Sequence, residues 1–257
     1  MGERQQTVLT LMNVYRTKEP IATIQTDQFS TKKELYEVQE AFIQEKRRKQ
    51  GGSISGYKII LTNEGLQKTF KTDAPLYGVI LNQDISVTGE ISLQEFFSPF
   101  VGAELMFITK EDISLDADQD EIIEKTTIAP GLELPDSRMK NWFPNLSSAQ
   151  LIVDNAAAGK IVIGEPRRID KAFKLDEISV TLYHNNKQIT EGQSTFVLEN
   201  PLNAVMWLHR KLASQGKVLK KGTIISSGTF INPLPLETGT YRAVFDHFGE
   251  VKVDIVD

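Results

Sequence analysis

Two glutamates stand where apolar strands would otherwise run unbroken. Residues 100–108, Phe-Val-Gly-Ala-Glu-Leu-Met-Phe-Ile, read as a strand that ends at the charged Lys110-Glu111-Asp112. A period of two sets Gly102, Glu104 and Met106 on one face and Val101, Ala103, Leu105 and Phe107 on the other. Burying a carboxylate in such a strand is costly unless a positive group pairs with it. Glu133, between Leu132 and Leu134, poses the same problem. Two embedded carboxylates imply a shared cation, either a metal or a buried Lys or Arg; the alternative is a pair of glutamates on solvated strand faces. Lys58, between Tyr57 and Ile59, is a lysine in an equally apolar strand. Buried, it would either pair with a carboxylate or be tuned for proton transfer; a strand lysine is otherwise a surface residue.

The elements that position these groups announce themselves by local chemistry. Val8, Leu11, Met12 and Tyr15 repeat at amphipathic-helix spacing over residues 7–16, before Pro20. Thr31-Lys-Lys-Glu34 is a capping box opening a second helix with Leu35, Val38 and Phe42 as its stripe, stopped by Gly51-Gly52. The basic run 45–50 is the cation-favouring end of that helix rather than a nucleic-acid patch. Residues 178–184 and 188–192 form a hairpin turned at Asn185-Asn186. Asn200-Pro201 caps a helix with Leu202, Val205, Met206 and Leu212 as its core face, and a last hairpin turns at Asp246-His-Phe-Gly. Asp116, Asp118 and Asp120 carry calcium-loop spacing, but the sixth position is Glu121 and the twelfth Thr127, so the loop is read as solvated, leading into a short helix at 121–125.

Composition removes whole classes of function. The 257 residues suffice for one large domain, or one with a small cap, and their net charge of −5 gives no general attraction to nucleic acid or anionic lipid. With no cysteine, disulfides, thiolate zinc sites and a cysteine nucleophile are excluded, which suits a cytoplasmic location. No apolar run approaches the roughly 18 residues of a membrane span, and the N-terminus lacks the apolar core of a signal peptide. The three histidines, His184, His209 and His247, do not make a site.

Three motifs in order carry a resemblance. Pro99-Phe-Val-Gly-Ala-Glu-Leu-Met-Phe, Gly131-Leu-Glu-Leu-Pro-Asp-Ser-Arg and Val153-Asp-Asn-Ala-Ala-Ala-Gly together resemble the 2-keto-4-pentenoate hydratases of the fumarylacetoacetate hydrolase superfamily, which includes the 4-oxalocrotonate decarboxylases. Residues 56–62 and 219–229 are similar to further signatures of that family. No histidine precedes residue 184, which disfavours the His-dependent hydrolase branches. The resemblance implies an α+β fold: a small N-terminal helical region, 1–55, on a mixed β-roll or barrel, 56–257. It implies a Mg2+ or Mn2+ ion held by Glu104 and Glu133, acid–base work by Lys58 and Asp73, and substrate binding by Leu61, Asp154, Asn155 and Lys160. Arg138 is expected to brace its motif. The implied reaction is hydration of a 2-hydroxy-2,4-dienoate, a small 2-oxo acid, by a homo-oligomer in aromatic catabolism. The chain departs from the family pattern at Gly102, where a third metal-binding glutamate is usual, at Ile60 in place of Gly, and at Ala157 in place of Ser. Those departures keep two alternatives open: a hydratase-fold binding or partner subunit, and a 4-oxalocrotonate-type decarboxylase.

Overall fold

The computed structural model describes residues 2–87 and 89–257. Helix α1 (Glu3–Thr17) buries Thr7, Val8, Leu11 and Val14 in one stripe and ends as Lys18 turns left-handed. It starts four residues before the apolar periodicity does. Helix α2 (Lys32–Gln50) begins at the expected capping box, with the Glu34 carboxylate accepting from the Thr31 N–H at 2.9 Å. Lys46, within its basic end, is buried and pairs with Asp84 at 3.3 Å.

The chain then alternates short elements: β1 (Ile54–Ile60), α3 (Glu64–Thr69), β2 (Leu76–Leu81), β3 (Ile85–Ser86), β4 (Glu90–Ser92) and β5 (Phe100–Thr109). There follow α4 (Gln119–Glu124), β6 (Thr126–Leu134), α5 (Trp142–Asn145), α6 (Ser148–Val153) and β7 (Lys160–Ile163). The hairpin of β8 (Ser179–His184) and β9 (Lys187–Gln193) turns where expected, because Asn185 and Asn186 accept the positive φ such a turn needs. Helix α7 (Pro201–Ala213) is capped by Asn200, whose side chain accepts from the Leu202 N–H at 2.9 Å. Strands β10 (Ile224–Thr229), β11 (Leu234–Pro235), β12 (Gly239–Phe245) and β13 (Gly249–Val256) complete the chain.

These elements make an α+β fold with two sheets. The larger runs β2-β1-β10-β5-β6-β7-β3, with β11 on β5, and mixes parallel with antiparallel pairs; the smaller runs β4-β13-β12-β8-β9. Alternation along β5 decides what each face does. Val101, Ala103, Leu105 and Phe107 join Leu182, Ala243, Phe245 and Val253 of the smaller sheet in one core. Gly102, Glu104 and Met106 take the other face, as the period-two reading expects.

On β5–β6, Gly102 lies opposite Glu133 and Glu104 opposite Gly131, so both glutamates share a face. Thr229 of β10 lies opposite Glu104, and Lys58 of β1 pairs in register with Ser226 of β10. Lys58 and Glu133 are thus three strand spacings apart, about 14 Å in a flat sheet. Their direct contact requires the sheet to curl around that face. Helices α1 and α2 close the far end, sharing a core with β2 and α6 through Leu11, Phe42, Val79 and Leu151.

Candidate active site

Curling of the larger sheet gathers the three buried charges that the sequence singles out. Lys58, Glu104 and Glu133 are 0%, 1% and 3% exposed. The Lys58 ammonium donates to Glu133 Oε1. Glu104 is held by the Ser226 hydroxyl and by the Gly228 N–H at 3.0 Å. An irregularity in the β10–β5 pairing between Ser226 and Thr229, with Gly228 at φ +106°, aims both donors at one carboxylate. Burial pushes the Glu104 carboxyl up to about 8, with the nearby Glu133 adding to the rise, against the pull of Ser226, Lys58 and Gly228. Burial also raises Glu133, and the charge of Lys58 draws it back.

These charges form the floor of a cavity whose walls are mostly apolar, among them Leu66, Phe70, Trp142, Phe143, Ala157 and Pro233, with Thr62 and Thr229 as the hydroxyl-bearing lining residues. Leu61 lines it with a left-handed backbone (φ 58°), its carbonyl held by Gln67 at 2.9 Å. A Cβ on Gly102 would lie 2.9 Å from Thr229 Oγ1 and 3.7 Å from Glu104 Oε1. Thr229 therefore fills the space that a side chain at position 102 would need. A wider surface groove of about 780 Å3 runs between α2, α7 and β1–β2, but none of its carboxylates is buried.

No protein-family profile matches the chain. Over 235 residues it is 30% identical to the 2-oxo-hept-4-ene-1,7-dioate hydratase of Escherichia coli, covering 88% of this chain and 87% of that one. The chain belongs to the 2-keto-4-pentenoate hydratase family. A 2-keto-4-pentenoate hydratase of Burkholderia vietnamiensis is 26% identical over 215 residues, 82% of this chain and 81% of its own. In fold, the family member described here is similar to 4-oxalocrotonate decarboxylase from Pseudomonas putida G7, complexed with magnesium and adipate. The TM-score is 0.88 at 22% identity, over 100% of this chain and 99% of that one.

Several residues that the family resemblance points to are placed away from the cavity. Asp73 leaves its side chain 88% exposed, pairs with Lys32 at 2.6 Å and is absent from the lining, because the loop before β2 turns it to solvent. Lys160 likewise turns away and pairs with Glu95 at 3.0 Å. Asp154 is buried but spent on structure: Arg138 Nε donates to it at 2.6 Å and the Ser137 hydroxyl at 2.6 Å. Arg138 also donates to the Ala158 carbonyl at 2.9 Å, and so braces its motif as expected. Asn155 clamps the outermost strand β2, accepting from the Val79 N–H at 2.7 Å and donating to the Val79 carbonyl at 2.9 Å. Asn155, Ala156 and Ala157 are all left-handed, at φ 55°, 51° and 51°. Such a run costs roughly 1–2 kcal/mol per residue, and the Arg138–Asp154 and Asn155 bonds hold it. These two motif residues therefore shape the wall at Ala156 and Ala157 instead of contacting its contents.

Sequence reasoning assigned no role to Ser226, Gly228 or Thr229. Their signal was a glycine inside an otherwise β-forming run, which marks a bulge or a close approach.

Among the described residues no cluster of three His, Cys, Asp or Glu side chains suits a metal. Two carboxylates on one curled face still fit a hard divalent cation, which commonly takes one or two carboxylates and completes its shell with water and substrate oxygens. Glu104 and Glu133 would hold it, with Lys58 competing for Glu133.

Proposed function

We propose that the chain is a cation-dependent hydratase that adds water to a 2-hydroxy-2,4-dienoate, giving a 4-hydroxy-2-oxo acid. The observation that carries this reading is the buried Lys58–Glu133 pair beside Glu104 on the floor of an apolar cavity. The names of the relatives support the substrate class. When bound, a divalent cation supplies Lewis-acid polarisation of the 2-oxo acid end. Lys58 Nζ, paired with Glu133, is the candidate acid–base group for moving protons between the substrate carbon and the incoming water. Glu104, fixed by Ser226 and Gly228, presents carboxylate oxygen without side-chain reorganisation. Leu61 and the turn 155–157 shape the substrate wall.

The same reading carries finer expectations. The larger sheet is taken as the β-roll of the superfamily, and the chemistry belongs to 56–257, since every cavity residue falls there, with 1–55 as the helical cap. Mg2+ or Mn2+ is the ion, and the magnesium complex of the similar decarboxylase supports that choice. A homo-oligomer acting in the cytoplasm on aromatic breakdown products completes the proposal; among the described residues no helix is long and apolar enough to cross a membrane.

The test is the loss of dienoate ultraviolet absorbance with Mg2+ present. Turnover that disappears in Glu133→Ala is expected. Absence of turnover with either Mg2+ or Mn2+, across five- to seven-carbon dienoates, would overturn the reading.

A further inference from the structure

Gly228 touches two residues that line the cavity, Glu104 and Thr62. Its N–H donates to Glu104 Oε2 at 3.0 Å, the same oxygen that the Ser226 hydroxyl holds, so neither donor occupies Glu104 Oε1. A Cβ at position 228 would lie 2.7 Å from Thr62 Oγ1 and 2.6 Å from Thr62 Cγ2. With φ at +106° as well, the position suits glycine, and the absent side chain gives Thr62 its room beside Glu104.

Thr62 is 1% exposed and lines the cavity, yet its hydroxyl has no hydrogen-bond partner among the described residues. Nor is that oxygen walled off. The sealed side-chain polar atoms without a partner belong to Asn63, Arg167 and His209, so the Thr62 hydroxyl opens onto the cavity it lines. Its backbone is fixed on both sides. The Leu198 N–H donates to the Thr62 carbonyl at 2.8 Å, and the carbonyl of left-handed Leu61 is held by Gln67. Asn63 then caps α3, accepting from the Leu66 N–H at 2.9 Å. A β-branched side chain on such a backbone has little rotamer freedom left.

The other side-chain donors of the lining are committed. Lys58 donates to Glu133, the Trp142 indole N–H to the Ser98 carbonyl at 2.8 Å, and the Thr229 hydroxyl to the Ile231 carbonyl at 3.1 Å. Position 157 contributes only the methyl group of Ala157. A carboxylate entering the cavity exchanges water for protein donors, because burying it unpaired is strongly unfavourable. A hydroxyl bonded to a charged acceptor is among the stronger hydrogen bonds.

We propose that Thr62 is a substrate-binding residue whose hydroxyl donates to a carboxylate oxygen of the bound 2-oxo acid. The proposal rests on the 2-oxo acid reading of this cavity.

The experiment is calorimetric titration of 2-oxopentanoate, a saturated and unreactive 2-oxo acid, into the Mn2+-loaded protein and its Thr62→Val and Thr62→Ser variants. Valine keeps the shape without the hydroxyl, and serine keeps the hydroxyl without the methyl. Thr62→Val is expected to weaken binding at least about tenfold, as loss of a hydrogen bond to a charged group does, and Thr62→Ser to stay within about threefold of wild type. Mn2+ affinity without the acid, and the urea midpoint, are expected to hold in Thr62→Val. Unchanged binding of 2-oxopentanoate in Thr62→Val overturns the proposal alone. Equal weakening in Thr62→Ser also overturns it, by assigning the loss to the methyl contact. So does a fall in Mn2+ affinity in Thr62→Val, which would place the hydroxyl at the cation instead of the acid. Wild-type protein that binds no 2-oxopentanoate removes the 2-oxo acid reading and the proposal with it.

Discussion

At the scale of single residues, Lys58 and Glu133 depend on each other. Each is buried and neither has another charged partner of opposite sign within ion-pair distance among the described residues. Removing one member of such a pair leaves an uncompensated buried charge, at about 3–5 kcal/mol. Lys58→Met is therefore expected to abolish turnover by at least about 100-fold and to lower the urea midpoint. Lys58→Met with Glu133→Gln should regain much of the stability and none of the activity. A midpoint for the double variant no higher than for Lys58→Met would count against the pairing. Gly102 makes a second residue-scale case. Because Thr229 fills the space beside it, Gly102→Glu alone is expected to destabilise the fold by roughly 1–3 kcal/mol, the usual cost of overpacking. Combined with Thr229→Ala, it should fold normally and bind Mn2+ more tightly than wild type without added ligand, measured by calorimetry.

At the scale of elements, what could be read in the sequence was what local chemistry encodes. The Thr31–Glu34 box, the Asn200-Pro201 start of α7 and the Asn185-Asn186 turn each specify their own geometry, and each lies where expected. The alternation of β5 gave the shared face of Gly102 and Glu104. Period alone does not say which strands lie side by side, so the route by which Lys58 reaches Glu133, over β10 and β5, stayed hidden. Asp154 and Asn155 show a different limit. A motif marks a place in the fold, and here that place is a brace for the edge strand and the left-handed turn. Thr229 was illegible because its part is to fill space across a strand pair. The brace has a measurable consequence: Asn155→Ala leaves the buried N–H and carbonyl of Val79 unpartnered, at about 1–3 kcal/mol. Amide exchange at Val79 should accelerate more than at Ile225 in the sheet interior. Uniform acceleration across the sheet would contradict a local clamp.

At the scale of the whole molecule, the N-terminal helices are not a detachable cap. Leu11 and Phe42 share one core with Val79 of β2 and Leu151 of α6, so residues 1–55 should not melt separately. A single calorimetric transition is expected, with the helical signal lost together with the tryptophan signal of Trp142 and Trp207; a distinct early helical transition would contradict it. The same shared core fixes the wall that carries Trp142 against the floor formed by the sheet. The central claim is that this floor is a two-glutamate cation site completed by a 2-oxo acid. Calorimetric titration of Mn2+ with and without oxalate, a mimic of the 2-oxo acid end, tests it most directly. Binding that tightens at least tenfold with oxalate, and vanishes in Glu104→Ala with Glu133→Ala, is the predicted result. No binding even with oxalate, or binding that survives loss of both glutamates, would contradict the account.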